Sequence, residues 1–136
     1  MIVVNNIVAA TDFGPASDSA IEYAAALART LGARLHLVHV AGLGEEGSHA
    51  WQVLDALVES LKPVQAVAMV LRSPKTAEAL LSYADAAQAD LIVAGTHGRA
   101  GSRNPLDFFM GSIAQNLVRH APCPVITTRG PVAAAA

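Results

Sequence analysis

The chain is predicted to fold as α/β, with a single open five-stranded parallel sheet covered by helices on both faces. Three observations carry this. Five short apolar runs of four to eight residues recur along the chain, and four segments with helical spacing separate them. Gly, Pro, Asp and Asn punctuate most of the boundaries. Strands alternating with helices in one short chain build parallel pairs joined by right-handed crossovers.

The elements follow in order. Ile7-Val8-Ala9-Ala10 is an apolar run closed by Thr11-Asp12, the form of a buried strand. Pro15 suits the first turn of a helix, where its missing N–H costs nothing. Ile21, Ala24, Ala28 and Leu31 continue that helix, and Gly32 is placed to stop it. Leu35 to Val40 is a second strand, and a glycine-rich link runs from Gly42 to Gly47. Trp51, Leu54, Val58 and Leu61 mark an amphipathic helix that ends before Pro63, with Trp51 taken as core or interface. Val64 to Leu71 is the third strand. Ala77, Leu80, Leu81 and Ala84 make the third helix. Leu91 to Ala94 is the fourth strand, ending at Gly95. Ile113, Leu117 and Val118 give the last helix, and Pro124 to Thr128 the last strand.

With 136 residues the chain suits one domain, assigned to residues 1–130 with a short tail at 131–136. That size buries enough surface to fold without a disulfide or metal staple. The net charge of −2 provides no overall basic field for nucleic acid or an anionic membrane, so neither is an expected partner. Polar residues interrupt every apolar run well short of a membrane span, and the first residues have no basic region or long apolar stretch. The single cysteine, Cys123, has no internal partner and is read as a buried, inert thiol. A cytoplasmic protein is the expectation.

In open parallel sheets, ligands bind beyond the carboxyl ends of the strands, where strand order reverses. Two strand ends carry chemistry: Thr11-Asp12, and Gly95-Thr96-His97-Gly98-Arg99-Ala100-Gly101. Glycines there let the backbone approach a ligand closely. Gly111-Ser112 opens a helix whose free N–H groups and positive dipole end suit a phosphate, and Arg99 and Arg103 add positive charge. Neither a P-loop nor a GxGxxG after the first strand is present. Response-regulator chemistry is excluded too: no acidic residue follows the third strand and no lysine the last. His36 and His39, three apart on one strand, face opposite sides of the sheet and cannot share a metal.

These residues resemble the universal stress protein family. The likeness runs through Val8-Ala9-Ala10-Thr11-Asp12, Gly32 to Val40, Ala89 to Arg99, Gly111-Ser112 and Arg119 to Val125. It implies a Rossmann-like sheet with strand order 3-2-1-4-5, which brings Asp12 and Gly95 together. In nucleotide-binding members, Asp12 is similar to the residue that holds the ribose, and Ala10, Thr11 and Val40 correspond to positions around the adenosine. Ala94, Gly95, His97 and Gly98 resemble the lining after the fourth strand, beside Arg99. Gly111, Ser112 and Ile113 resemble the phosphate-binding helix start. The implied ligand is ATP or another adenine nucleotide, accompanied by Mg²⁺ where the phosphates require it. The implied assembly is a homodimer through Pro124 to Thr128.

One departure bears on this. The family signature spaces its second glycine nine residues from the Gly-Ser/Thr pair, whereas twelve residues separate Gly98 from Gly111. Gly101 satisfies the nine-residue count only in a register shifted past the strand end. The extra length falls in Ser102 to Met110, where Pro105, Asp107 or Phe108 could enter the phosphate space. Closing three more residues costs only about 0.25 kcal/mol, so shape rather than entropy decides. No general base stands beside the phosphate position, which favours a stress-response binding or signalling module. The alternatives are a slow ATPase and a dimeric interaction domain that binds no nucleotide.

Overall fold

The computed structural model describes residues 1–96 and 111–130. His97, Gly98, Arg99, the longer segment Ser102 to Met110 and the tail at 131–136 lie outside the described residues. The element order is β1 (Asn6–Ala10), α1 (Pro15–Leu31), β2 (Arg34–Ala41), α2 (Gly47–Ser60), β3 (Ala66–Arg72), α3 (Thr76–Ala86), β4 (Leu91–Gly95), α4 (Ser112–His120) and β5 (Val125–Thr128). The strands form one open sheet in the order β3-β2-β1-β4-β5, and every neighbouring pair is parallel.

Each strand alternates its side chains between two cores. Ile7, Ala9, Leu35, Leu37 and Val93 meet Ala20, Ala24 and Ala28 of α1 and Leu54 of α2 on one face. Val8, Val38, Ile92 and Ala94 meet Leu80 and Ala84 of α3 and Leu117 of α4 on the other. The alanine stripe of α1 lets its backbone lie close to the sheet, and each large side chain removed from water contributes about 1.5–3 kcal/mol. Pro15 stands in the first turn of α1, and Gly32 ends it in the left-handed region at φ 66°. Of core or interface for Trp51, the first is set aside: Trp51 is 39% exposed and Leu54 takes the inward position of α2. β3 begins at Ala66 rather than Val64, after a turn in which the Val64 N–H bonds the Leu61 carbonyl.

His36 faces the second core, where the Tyr83 ring meets it edge-on at 5.7 Å. Its Nε2 lies 3.0 Å from Asn6 Oδ1, which only accepts, so Nε2 carries the proton and Nδ1 accepts from the Tyr83 hydroxyl at 2.8 Å. Burial, aided by the Arg34 charge, holds this imidazole below its usual range. The folded state therefore favours neutral His36, while the unfolded chain takes up a proton near pH 6.5. The stability from this site is complete above that pH and falls as pH drops through it toward the lower folded value. Urea titrations from pH 7.5 downward should show this decline, and a His36→Gln chain should show a flatter one. Equal slopes would place the acid sensitivity elsewhere.

Candidate functional site

The crossovers from β1 and β4 leave for opposite faces of the sheet, so a crevice opens between their carboxyl ends. A cavity of about 380 Å³ fills it, within the usual range for a small-molecule site. Nine of the residues singled out from the sequence line it: Ala10, Thr11, Asp12, Val40, Ala94, Gly95, Gly111, Ser112 and Ile113. His97, Gly98 and Arg99 lie outside the described residues.

The β1–α1 turn fixes Asp12. Its Oδ1 accepts from the Ser17 hydroxyl at 2.7 Å and the Gly14 N–H at 2.9 Å, while its own N–H donates to Ser17 Oγ at 3.0 Å. Oδ2 has no partner among the described residues. Phe13 takes a left-handed φ of 66°, which costs a bulky residue about 1–2 kcal/mol. The conformation is held by the Phe13 N–H on Thr11 Oγ1 and by the ring, whose centroid lies 4.4 Å from that of His39. Strain of this kind gathers in ligand-binding turns.

The β4 end is built from close backbone contacts. A Cβ on Gly95 would stand 2.8 Å from the Ala16 carbonyl carbon, so only glycine lets α1 dock there. The Thr96 N–H bonds the Thr128 carbonyl of β5, and the Thr96 carbonyl accepts from the Gly111 N–H. Thr96 thereby anchors both β5 and the start of α4. Its Oγ1 is buried beside the cavity and has no partner among the described residues. The N–H groups of Ser112, Ile113 and Ala114 begin α4 and have no acceptor within the helix. Among the described residues, the charged side chains lining the cavity are Asp12 and Glu45, with no Lys or Arg.

Ser17, His39, Glu45, Thr76 and Leu80 also line the cavity, and sequence reasoning does not assign them to it, whereas Thr96, named with the β4 end, lines it too. Only Ser17 has a readable cue, its place one turn into a helix behind Asp12. The other contributions come from β2, the loop after it and α3, which meet only in the folded chain. Cys123 is half-buried; burial, with Asp90 nearby, raises its thiol pKa, as suits an unreactive cysteine. No group of three or more His, Cys, Asp or Glu among the described residues could hold a metal, and no helix there is long and apolar enough to cross a membrane.

An open parallel sheet in the order β3-β2-β1-β4-β5, with an aspartate, a bare strand end and a helix N-terminus around its switch-point cavity, is a doubly wound α/β domain. The chain belongs to the universal stress protein family, whose model matches residues 4–129. A universal stress protein of Thermus aquaticus is 36% identical over 138 residues, covering 90% of this chain and 97% of the relative. The fold is shared with the universal stress protein UspA from Lactobacillus plantarum at a TM-score of 0.83, with 21% identity and coverage of 95% and 100%. The universal stress protein from Archaeoglobus fulgidus, solved in complex with dAMP, has a TM-score of 0.69 and 25% identity, covering 94% of this chain and 99% of that one.

Proposed function

We propose that this chain is a cytoplasmic, homodimeric module that binds one adenine nucleotide and serves stress response or signalling rather than turnover. The observation that carries this is the convergence of Asp12, Gly95 and the first turn of α4 on one cavity. The dAMP held by the Archaeoglobus relative supports the ligand class. Asp12 Oδ2 is positioned to accept from ribose hydroxyls, because Oδ1 is already committed to Ser17 and Gly14. The α4 N–H groups and the Ser112 hydroxyl suit the phosphates. His97, Gly98 and Arg99 belong to the same reading, and a triphosphate would carry its Mg²⁺ on the phosphate oxygens. Binding is favoured over hydrolysis because no acidic residue or histidine stands in Gly111 to Ala114, where α4 begins and the phosphates are read. Native mass spectrometry of freshly purified protein, followed by calorimetry with ATP, ADP and AMP, tests the reading. One nucleotide per chain is expected. No co-purified nucleotide and no heat with any of the three would refute it.

The dimer is assigned to the free edge of β5. The Ile92 N–H bonds the Pro124 carbonyl and the Thr96 N–H bonds the Thr128 carbonyl. By alternation, Val125 and Thr127 turn their N–H and C=O groups outward. No charge, lysine or bulge guards that edge. Ile126 packs against the α1 core, so a charge there would disturb the fold itself. Thr127→Pro instead removes an outward N–H while sparing the bonds to β4. Sedimentation at micromolar concentration should show wild type at twice 14.0 kDa and the variant at 14.0 kDa, folded. A monomeric wild type, or a variant that still dimerises, rules out this edge.

A further inference from the structure

His39 and Glu45 stand at the β2 end of the cavity. The His39 ring is buried and its two nitrogens face two acceptors: Nδ1 lies 2.8 Å from the Thr11 carbonyl oxygen, and Nε2 pairs with Glu45 Oε2. A carbonyl only accepts, so Nδ1 carries a proton. The second contact then needs a second proton, on Nε2 or on the Glu45 carboxyl. In both arrangements Glu45 Oε1 remains an acceptor, and it has no partner among the described residues. The loop that carries it is fixed as well. The Glu45 N–H bonds the Gly42 carbonyl, and Arg72 Nη1 donates to the Glu45 carbonyl at 3.0 Å.

Only β1 separates β2 from β4, so these two strand ends lie two strand spacings apart, about 10 Å. The α4 N-terminus by the β4 end attracts an anion, and a carboxylate at the β2 end repels one. A ligand spanning the cavity is thereby oriented, with its anionic group at α4 and its other end against Glu45.

We propose that Glu45, positioned by His39, is a specificity-determining residue that reads a hydrogen-bond donor on the non-anionic end of the ligand. Within the nucleotide reading, on which this inference rests, that donor is the exocyclic amine of adenine. Hypoxanthine, which carries a carbonyl in its place, sets two acceptors against each other with no proton between them. A site built to receive a donor discriminates strongly against such an analogue.

Calorimetry of the full chain with AMP and with IMP tests this. AMP should bind about tenfold tighter than IMP, and Glu45→Ala should bring the two within about twofold. Glu45→Gln should keep the preference, since its amide N–H can donate to Nε2 of a neutral His39 while its oxygen faces the base. Equal affinities in the wild type would overturn the assignment and leave the nucleotide reading intact. A preference that survives Glu45→Ala would also overturn it, placing the discrimination on another group. Failure of both nucleotides to bind would overturn the nucleotide reading, and this inference with it.

Discussion

Replacing Gly95 by alanine is expected to lower stability by about 3 kcal/mol, toward the upper end of overpacking costs. The added Cβ would meet the carbonyl carbon and Cβ of Ala16 at 2.8 Å and its carbonyl oxygen at 2.9 Å. None of these atoms is the tip of a flexible side chain. Ala16 is itself buried in the first turn of α1, one residue before the Ser17 that holds Asp12. The helix must therefore move as a body, carrying the turn that fixes the aspartate. For a domain of this size the melting temperature should fall by about 10 °C. Ligand affinity should fall with it, because Asp12 loses its register against β4. Gly42→Ala is the control: its added Cβ meets nothing within 4 Å, and its melting temperature should stay close to wild type. An unchanged melting curve for Gly95→Ala would mean that α1 does not dock on the end of β4.

Asp12→Ala is expected to weaken adenine-nucleotide binding by about 1.5–3 kcal/mol, which is about 10- to 150-fold in the dissociation constant. The loss has two sources that a second variant separates. Alanine removes both the free Oδ2 and the Oδ1 that accepts from Ser17 and Gly14. Asparagine keeps an oxygen for those two donors and puts an amide where the free carboxylate oxygen stood. Asp12→Asn should therefore retain most of the unliganded stability and still lose affinity, because an N–H₂ cannot accept from the ribose. Calorimetry gives the affinity and thermal melting gives the stability. Wild-type affinity in both variants would remove Asp12 from the site. Affinity lost in Asp12→Ala but retained in Asp12→Asn would reduce its role to shaping the turn.

Much of the site is legible in the sequence alone, because its residues sit where local signals end. Asp12 closes an apolar run, Gly95 ends another, and Gly111-Ser112 opens a helical period. A resemblance across most of the chain supplies the strand order, which no periodicity contains. What stays hidden is non-local. Phe13 adopts a conformation that its residue type disfavours, held by Thr11 before it and by a histidine 26 positions later. Spacing says of His39 only that it faces away from His36, whereas in the fold its ring bridges the β1–α1 turn to Glu45 in the loop after β2. Trp51 falls on the apolar face by spacing, and packing leaves it exposed while Leu54 takes the core.

The sequence by itself determined the elements, their order along the chain, and which strand ends to read as a candidate site. Those properties depend on neighbours three or four positions away, through side-chain alternation, helical spacing, and the φ limits of proline and glycine. Only the tertiary structure decided that Gly95 must be bare because Ala16 lies against it, that Asp12 offers one carboxylate oxygen and keeps the other, and that His39 and Glu45 face the same cavity. Each of these depends on the distance between segments far apart in the chain, and packing two cores against one twisted sheet sets those distances.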